Sequence, residues 1–277
     1  MKKILLPVLA IFFGMSATAF ASGDVRVEFN AMEVEFDQPA VISENRTLVP
    51  LRKIFELLGA EVSWDDWTRT AISEKDGKKV TISIGSRQMY VNGEPKELDV
   101  PAKIINNRTL VPLRAISEAY TCDVSWDGNE RVAEITSPEF AKAKKNGYVS
   151  ENGLNFEYFS DTPLSSGGEN TVSAKSGACS ITISAEKSAD ITIDDSYIAY
   201  LVKGLGQFNT LSIKYVRKAS DKNAALIGCY NKGNSIYYLY ANKGGMSYNL
   251  AVTVPDGAQR YDAEKLMYII KSFLEKM

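Results

Sequence analysis

Apolar positions recur along the chain with two periods, and these periods predict both helices and strands. Leu51, Ile54, Phe55 and Leu58 follow helical spacing, and residues 261–276 form a second amphipathic helical pattern. Other stretches alternate between apolar and polar residues, as strands with one buried face require. The clearest of these runs are 80–91, 210–216, 224–230, 235–241 and 247–254. The pattern therefore predicts an α+β fold.

The chain contains an internal repeat. Residues 35–66 align without a gap with residues 97–128, and 19 of the 32 positions are identical. Such identity at a constant offset of 62 indicates a duplicated unit. We predict two units, about 27–72 and 89–134, in a domain covering residues 22–137. Each unit is expected to be strand-strand-helix-strand-strand, with one helix packed on an antiparallel sheet.

Several residues that recur in both units are expected to be structural. Pro50 and Pro112 are predicted at the first position of a helix, where the missing N–H costs nothing. The recurring arginines are expected to pair with carboxylates inside the domain, although an anion site stays open as an alternative. The recurring tryptophans are expected in the core. The full set is Asp37, Arg46, Pro50, Arg52, Trp64, Asp99, Arg108, Pro112, Arg114 and Trp126.

At these residues the chain resembles the copper amine oxidase N-terminal-like domain family. The resemblance rests on the repeated Arg-Thr-Leu-Val-Pro-Leu-Arg motif and on Val-x-Trp-Asp after the helix, and it covers roughly residues 25–136. It implies a secreted accessory domain, because in copper amine oxidases this domain is a non-catalytic stalk. The oxidase itself needs copper held by three histidines and a tyrosine-derived quinone. This chain has no histidine, so it cannot form that copper site.

The remainder of the chain has a different organisation. Residues 138–149 are polar and predict a linker, and Ser165–Gly168 predict a flexible loop. Residues 150–277 then predict a strand pair, a helix capped by Asp194 or Asp195, four antiparallel strands and a closing helix. This order of elements predicts an antiparallel α/β sandwich that resembles the PsbP/Mog1-like fold.

The N-terminal residues predict the destination of the protein. Two lysines, an apolar stretch and an Ala-x-Ala site predict a signal peptide over residues 1–21, cleaved between Ala21 and Ser22. We therefore expect a secreted protein, extracellular or associated with the cell envelope, with no membrane span after signal removal. The net charge of −2 favours neither nucleic acid nor an anionic membrane.

Calcium is the one metal for which the sequence offers a candidate site. Asp123, Ser125, Asp127 and Glu134 match the spacing of an EF-hand loop. Their flanks predict strands instead of helices, so we favour a hairpin turn with solvated charges. No catalytic residue and no cofactor-binding residue is predicted.

Cysteines and aromatic residues leave two further questions. Cys179 and Cys229 could pair, but three buried thiols with Cys122 are favoured. Trp67 lies in a polar turn, and tyrosines such as Tyr237 and Tyr240 cluster on neighbouring predicted strands. Exposed aromatic side chains of this kind would form a binding face. For Trp67, covering of a sheet edge is an equal alternative, whereas for the tyrosines plain strand propensity is the favoured explanation.

Taken together, these patterns predict a secreted, non-catalytic protein that binds or scaffolds at the cell envelope. Its partner would be an unknown envelope component or an extracellular protein, and the C-terminal domain would bind a ligand or partner. Two alternatives stay open: a secreted hydrolase with an unrecognised active site in the C-terminal domain, and a calcium-stabilised cell-wall protein.

Overall fold

A computed structural model describes residues 25–168, 170–207 and 211–277. The predicted signal peptide and its cleavage site lie outside the described residues. None of the helices in the described part of the chain has the length and apolar character needed to cross a membrane.

The first half of the described chain is mostly strand, with two short helices. Its elements are β1 Arg26–Phe29, β2 Met32–Glu33, β3 Val41–Ser43, β4 Arg46–Pro50, α1 Leu51–Leu57, β5 Glu61–Asp65, β6 Thr70–Lys75, β7 Lys78–Ser83, β8 Gln88–Val91, β9 Glu94–Glu97, β10 Lys103–Ile105, β11 Arg108–Pro112, α2 Leu113–Ala119, β12 Asp123–Asp127 and β13 Val132–Thr136.

A central sheet joins the two halves of this domain. Its strand order is β10-β11-β4-β3, and β4 pairs antiparallel with β11 so that Val49 faces Val111. These two residues are 62 positions apart, as are Leu48 and Leu110, which pair with Pro112 and Pro50. The pairing is therefore symmetric about its middle, and the arrangement has a local two-fold axis there.

The outer sheets show that the expected self-contained antiparallel units are not formed. One sheet has the order β12-β13-β1-β2, in which β1 pairs parallel with β13 from the far end of the domain. The other has the order β5-β6-β7-β8-β9. Strands from one half of the domain thus complete sheets of the other, which a reading of consecutive segments could not anticipate.

The helix boundaries also differ slightly from expectation. Pro50 and Pro112 end strands β4 and β11 and stand just before α1 and α2, not at their first position. Their extended backbone, with φ near −56° and −60°, suits a strand that turns directly into a helix. Gly59 follows α1 with a φ of +74°, and Thr121 adopts +62° at the corresponding place.

The predicted linker is instead ordered structure. Residues 138–149 contain α3, Pro138–Lys142, and β14, Lys145–Val149. Ser137 caps the helix by accepting a hydrogen bond from the Phe140 backbone N–H at 3.3 Å. Phe140 is buried and contacts the ring of Phe159. The polar composition of the segment concealed this single buried anchor.

The C-terminal half is a large antiparallel sheet with two helices. Its elements are β15 Asn155–Phe159, β16 Leu164–Gly168, β17 Thr171–Ser176, β18 Cys179–Lys187, α4 Asp195–Gly206, β19 Ser212–Ala219, a 3₁₀ turn Ser220–Lys222, β20 Ala224–Asn231, β21 Asn234–Lys243, β22 Met246–Pro255 and α5 Arg260–Lys276. The predicted flexible loop at Ser165–Gly168 is therefore strand β16. Asp194 caps α4.

The sheet has the order β16-β17-β18-β22-β21-β20-β19, and β14 and β15 form a separate pair. Helix α5 packs on one face through Leu266, Ile269 and Phe273, in a cluster that includes Cys179. Cys229 belongs to a different cluster, with Leu205 of α4. The three cysteines are buried free thiols, and the two clusters keep Cys179 away from Cys229. Mostly sheet with short helices, the chain has an α+β fold.

Charged and polar side chains connect the N-terminal domain to α5. The Asn30 side-chain amide donates to Glu264 at 2.8 Å, and Arg260 lies 2.7 Å from the same carboxylate. Lys271 pairs with Glu134 at 2.8 Å and with Glu28 at 3.5 Å. Burial raises the pKa of Glu264 to about 7. The two domains therefore share a largely buried polar contact.

Candidate functional site: two equivalent grooves

The N-terminal domain carries two grooves built from matching residues. Groove 1 has a volume of about 620 Å³ and groove 2 about 540 Å³. Groove 1 is lined by α1 and β5, and groove 2 by α2 and β12, which are their counterparts 62 residues later. Each groove also takes a short segment from the other half, namely Asn107–Thr109 in groove 1 and Asn45–Thr47 in groove 2.

An ion pair crosses between the two halves at each groove. The Arg108 Nε atom lies 2.6 Å from Asp37 in groove 1, and the Arg46 Nε atom lies 2.5 Å from Asp99 in groove 2. The hydrogen bond from Arg108 lowers the pKa of Asp37. The expected internal pairing of these arginines is thus present, and each arginine pairs with the aspartate of the opposite half.

The helical arginines have a different environment. Arg52 and Arg114 are exposed at the start of α1 and α2 and line the two grooves. Within the described residues neither makes an ion pair. Glu56 and Glu118 follow four residues later and line the same grooves. Free guanidinium and carboxylate groups, which together can donate and accept hydrogen bonds, are thus available in each groove.

The recurring tryptophans line the grooves instead of filling the core. Trp64 is 37% exposed and Trp126 is 41% exposed, so the expectation of buried side chains is wrong. Each pairs across the hairpin with a small buried residue, Ala71 or Ala133. The Trp64 indole N–H donates to Asp66 at 2.6 Å, which holds the ring. Each groove therefore presents part of a large aromatic ring to solvent.

Three of the four calcium candidates, Ser125, Asp127 and Glu134, make other side-chain contacts. Asp127 accepts hydrogen bonds from the backbone N–H groups of Asn129 and Glu130, at 2.8 and 3.1 Å, and so forms the hairpin turn. Glu134 pairs with Lys271, and Ser125 donates weakly to it at 3.4 Å. The described residues contain no group of three or more potential metal ligands. Asp127 is therefore a hairpin-turn residue, whereas Glu134 is paired with Lys271 and is not a solvated charge.

The residues proposed as an aromatic binding face are not brought together. Trp67 is 94% exposed at the turn between β5 and β6. Tyr237 and Tyr240 lie on opposite faces of β21, one packed with the α5 cluster and the other with the α4 cluster. Both tyrosines are partly buried, and burial raises the pKa of Tyr240 to about 12. The common face is therefore not formed.

Sequence reasoning missed the grooves because their walls come from both halves of the domain. The signal was nevertheless present in the repeat. Polar residues conserved between two copies of a unit, such as Arg52 with Glu56, need a reason beyond packing when they lie on the solvent side of a helix. The pairing of β4 with β11 then places the opposite arginine beside them.

A family model matches this part of the chain. Residues 28–135 match the family model described as "Copper amine oxidase N-terminal domain". The primary amine oxidase of Klebsiella aerogenes is 30% identical over 88 residues, which are 32% of this chain and only 11% of that oxidase. A crystal structure from Bacteroides thetaiotaomicron at 1.50 Å aligns with a TM-score of 0.31 and 17% identity, covering 46% of this chain and 47% of the other. In amine oxidases the N-terminal domain alone is not catalytic. Residues 28–135 of this chain are thus similar to copper amine oxidase N-terminal domains, and the chain spans only about a tenth of the length of the oxidase that it matches.

Proposed function

We propose that this chain is a secreted, non-catalytic binding protein whose N-terminal domain attaches to a component of the cell envelope through the two grooves. The observation that carries the proposal is the repetition of the same half-exposed tryptophan, free arginine and carboxylates in two separate grooves. A packing role alone does not require tryptophan to be exposed twice at equivalent places.

Repetition of the site favours attachment over catalysis. Two weak sites on one rigid domain raise the overall affinity for a surface that offers many copies of the ligand. The groove volumes lie in the range of small-ligand pockets, but their mixed polar and aromatic lining suits recognition more than it suits a reaction. In this proposal the C-terminal domain is carried by the attached domain and presents its own ligand or partner.

The polar contact around Glu264 supports a fixed arrangement of the two functions. Asn30 and Arg260 both bind this carboxylate, and Lys271 of the same helix pairs with the N-terminal domain. We therefore propose that the C-terminal domain is held against the attached domain instead of hanging from a flexible tether.

Co-sedimentation with isolated bacterial cell walls tests this function. The chain from Ser22 to Met277 should pellet with the walls in a saturable manner, and the double variant Trp64→Ala/Trp126→Ala should stay in the supernatant. Trp67→Ala is the matched control, since it removes a more exposed tryptophan that lies outside both grooves. Absence of pelleting by the unaltered chain, or equal loss with Trp67→Ala, would refute the proposal.

A further inference from the structure

The charge balance of the grooves indicates which chemical class they bind. Groove 1 contains three carboxylates, Glu35, Asp37 and Glu56, and three cations, Arg52, Lys53 and Arg108. In groove 2, alanine replaces the lysine, so that three carboxylates face two arginines. A groove with this balance does not attract a polyanion, and a polycation would meet the arginines.

The shape of the lining points to a ligand with flat apolar faces and hydroxyl or amide edges. The exposed part of each indole ring offers a flat apolar surface beside a small alanine. Free arginine and glutamate side chains on the adjacent helix donate and accept hydrogen bonds around that surface. A sugar ring has this combination, with C–H groups on its faces and hydroxyl groups at its edge.

We infer that each groove binds a sugar ring of an uncharged glycan, with Trp64 or Trp126 stacked on the ring face and the α1 or α2 arginine and glutamate on its hydroxyl groups. Two equivalent sites per chain follow from the repeat. This inference rests on the proposed function and names its ligand class. A polymer that repeats the same sugar would engage both grooves on a single surface, whereas a short oligomer would fill them independently.

Isothermal titration calorimetry tests the inference. A hexamer of N-acetylglucosamine is titrated into the chain from Ser22 to Met277. We expect two sites per chain. Trp64→Ala and Trp126→Ala should each weaken one of the two sites at least about tenfold, as loss of an aromatic anchor implies, and the double variant should weaken both sites to that extent. Trp67→Ala should titrate like the unaltered chain.

Three further variants keep the test informative if replacement of a tryptophan by alanine perturbs folding. Glu56→Gln and Glu118→Gln alter exposed helix positions that line the grooves, so folding is retained while hydrogen bonding to the sugar changes. Both should weaken binding of the hexamer. Trp64→Tyr should restore part of the affinity that Trp64→Ala loses, because an aromatic face is retained.

The outcomes separate the ligand class from the proposed function. Pelleting with cell walls that depends on both groove tryptophans, together with no binding of the hexamer, would overturn the glycan inference and leave attachment standing. Preference for a heparin hexasaccharide over the uncharged hexamer would also overturn it. If the unaltered chain neither pellets with cell walls nor binds the hexamer, both proposals are overturned.

Discussion

The two halves of the N-terminal domain have the same groove on the outside and different residues on the inside. Trp64 and Trp126 occupy equivalent places, and so do the two ion pairs between the halves. In the shared core the copies differ, since Phe55 of α1 corresponds to Ser117 of α2, and Leu58 corresponds to Tyr120. Phe55 and Tyr120 contact edge to face at 6.0 Å. The two copies share one core, so a large ring contributed by one copy is accommodated by a different residue in the other, and the core residues have diverged more than the residues that form the grooves.

The largest expected effect comes from substitutions at equivalent core positions of the two halves, which should change stability in opposite directions. Phe55→Ala should lower the free energy of unfolding by about 3–5 kcal/mol, because Phe55 is fully buried and its removal leaves a cavity. Ser117→Ala at the equivalent position should raise it by about 1 kcal/mol, because within the described residues the buried hydroxyl has no hydrogen-bond partner. Urea unfolding followed by tryptophan fluorescence measures both.

Tryptophan fluorescence is a selective probe for this comparison. The three tryptophans, Trp64, Trp67 and Trp126, all lie in the N-terminal domain. Their signal therefore reports unfolding of this domain even where the C-terminal domain unfolds separately. If Ser117→Ala instead lowered the free energy of unfolding, the buried Ser117 hydroxyl would not be destabilising, and the prediction would be wrong.

The second effect concerns the turns that begin each half. Asn92 accepts a hydrogen bond from the Lys79 backbone N–H, whereas its counterpart Asn30 donates to Glu264 in the C-terminal domain. The pKa of Glu264 is raised to about 7 by burial, from an ordinary value of 4.5. Below pH 4.5 the carboxyl is protonated in the folded and unfolded states alike. Between pH 4.5 and about 7 the unfolded chain ionises while the folded chain stays protonated, so the folded state loses stability as pH rises through this window, and above it the loss is complete.

Glu264→Gln should remove this pH dependence. The stability of the unaltered chain relative to the variant should fall by on the order of 3 kcal/mol between about pH 4.5 and pH 8, following the shift in pKa. Thermal unfolding by circular dichroism at several pH values measures the difference. Glu275→Gln on the exposed side of the same helix is the control and should show no such trend. A difference that stays constant with pH would show that Glu264 keeps its ordinary pKa.

Periodicity and repeat detection were sufficient for the local elements. The spacing of Leu51, Ile54 and Phe55 located α1 closely, and alternation located β20, β21 and β22. The order of strands was not accessible, because the parallel pairing of β1 with β13 joins segments about a hundred residues apart. Nothing local distinguishes a partner strand within a unit from one in the other copy.

The candidate site was predicted only in its parts. The recurring arginines, aspartates and tryptophans were recognised, but Trp64 and Trp126 were assigned to the core because large aromatic residues are usually buried. Their exposure is decided by which side of the hairpin faces α1 or α2. The exchange of arginines between halves likewise follows from the pairing of β4 with β11, which is a tertiary feature.

The third effect compares the two hairpin turns directly. Asn92-Gly93 and Asn30-Ala31 both have positive φ, with Gly93 at +85° and Ala31 at +69°. At positive φ the Cβ of alanine is in steric conflict with the backbone, whereas glycine has no Cβ and adopts this conformation readily. Ala31→Gly should therefore raise the free energy of unfolding by about 1 kcal/mol, and Gly93→Ala should lower it by a similar amount. A Cβ on Gly93 would meet no atom within 4 Å, so its cost is conformational. If both substitutions shifted the urea midpoint in the same direction, this interpretation of the turns would be contradicted.

The smallest expected effect tests whether the two grooves are equivalent in their charges. Asp37→Asn and Asp99→Asn each remove one ion pair between the two halves of the N-terminal domain. Both pairs are exposed and similar in length. We expect two small and equal losses of stability, smaller than that of Gly93→Ala, because solvent screens exposed pairs. Both losses should shrink in 1 M salt.

Since the pKa of Asp37 lies below its ordinary value, the contribution of its pair is present above the ordinary pKa of aspartate and disappears as pH falls through the lowered value. Urea midpoints at low and high salt measure the losses, with Arg52→Gln as the control that removes a groove charge without breaking an ion pair of the described residues. A loss in one groove alone would show that the two ion pairs are not equivalent, although their residues and distances match.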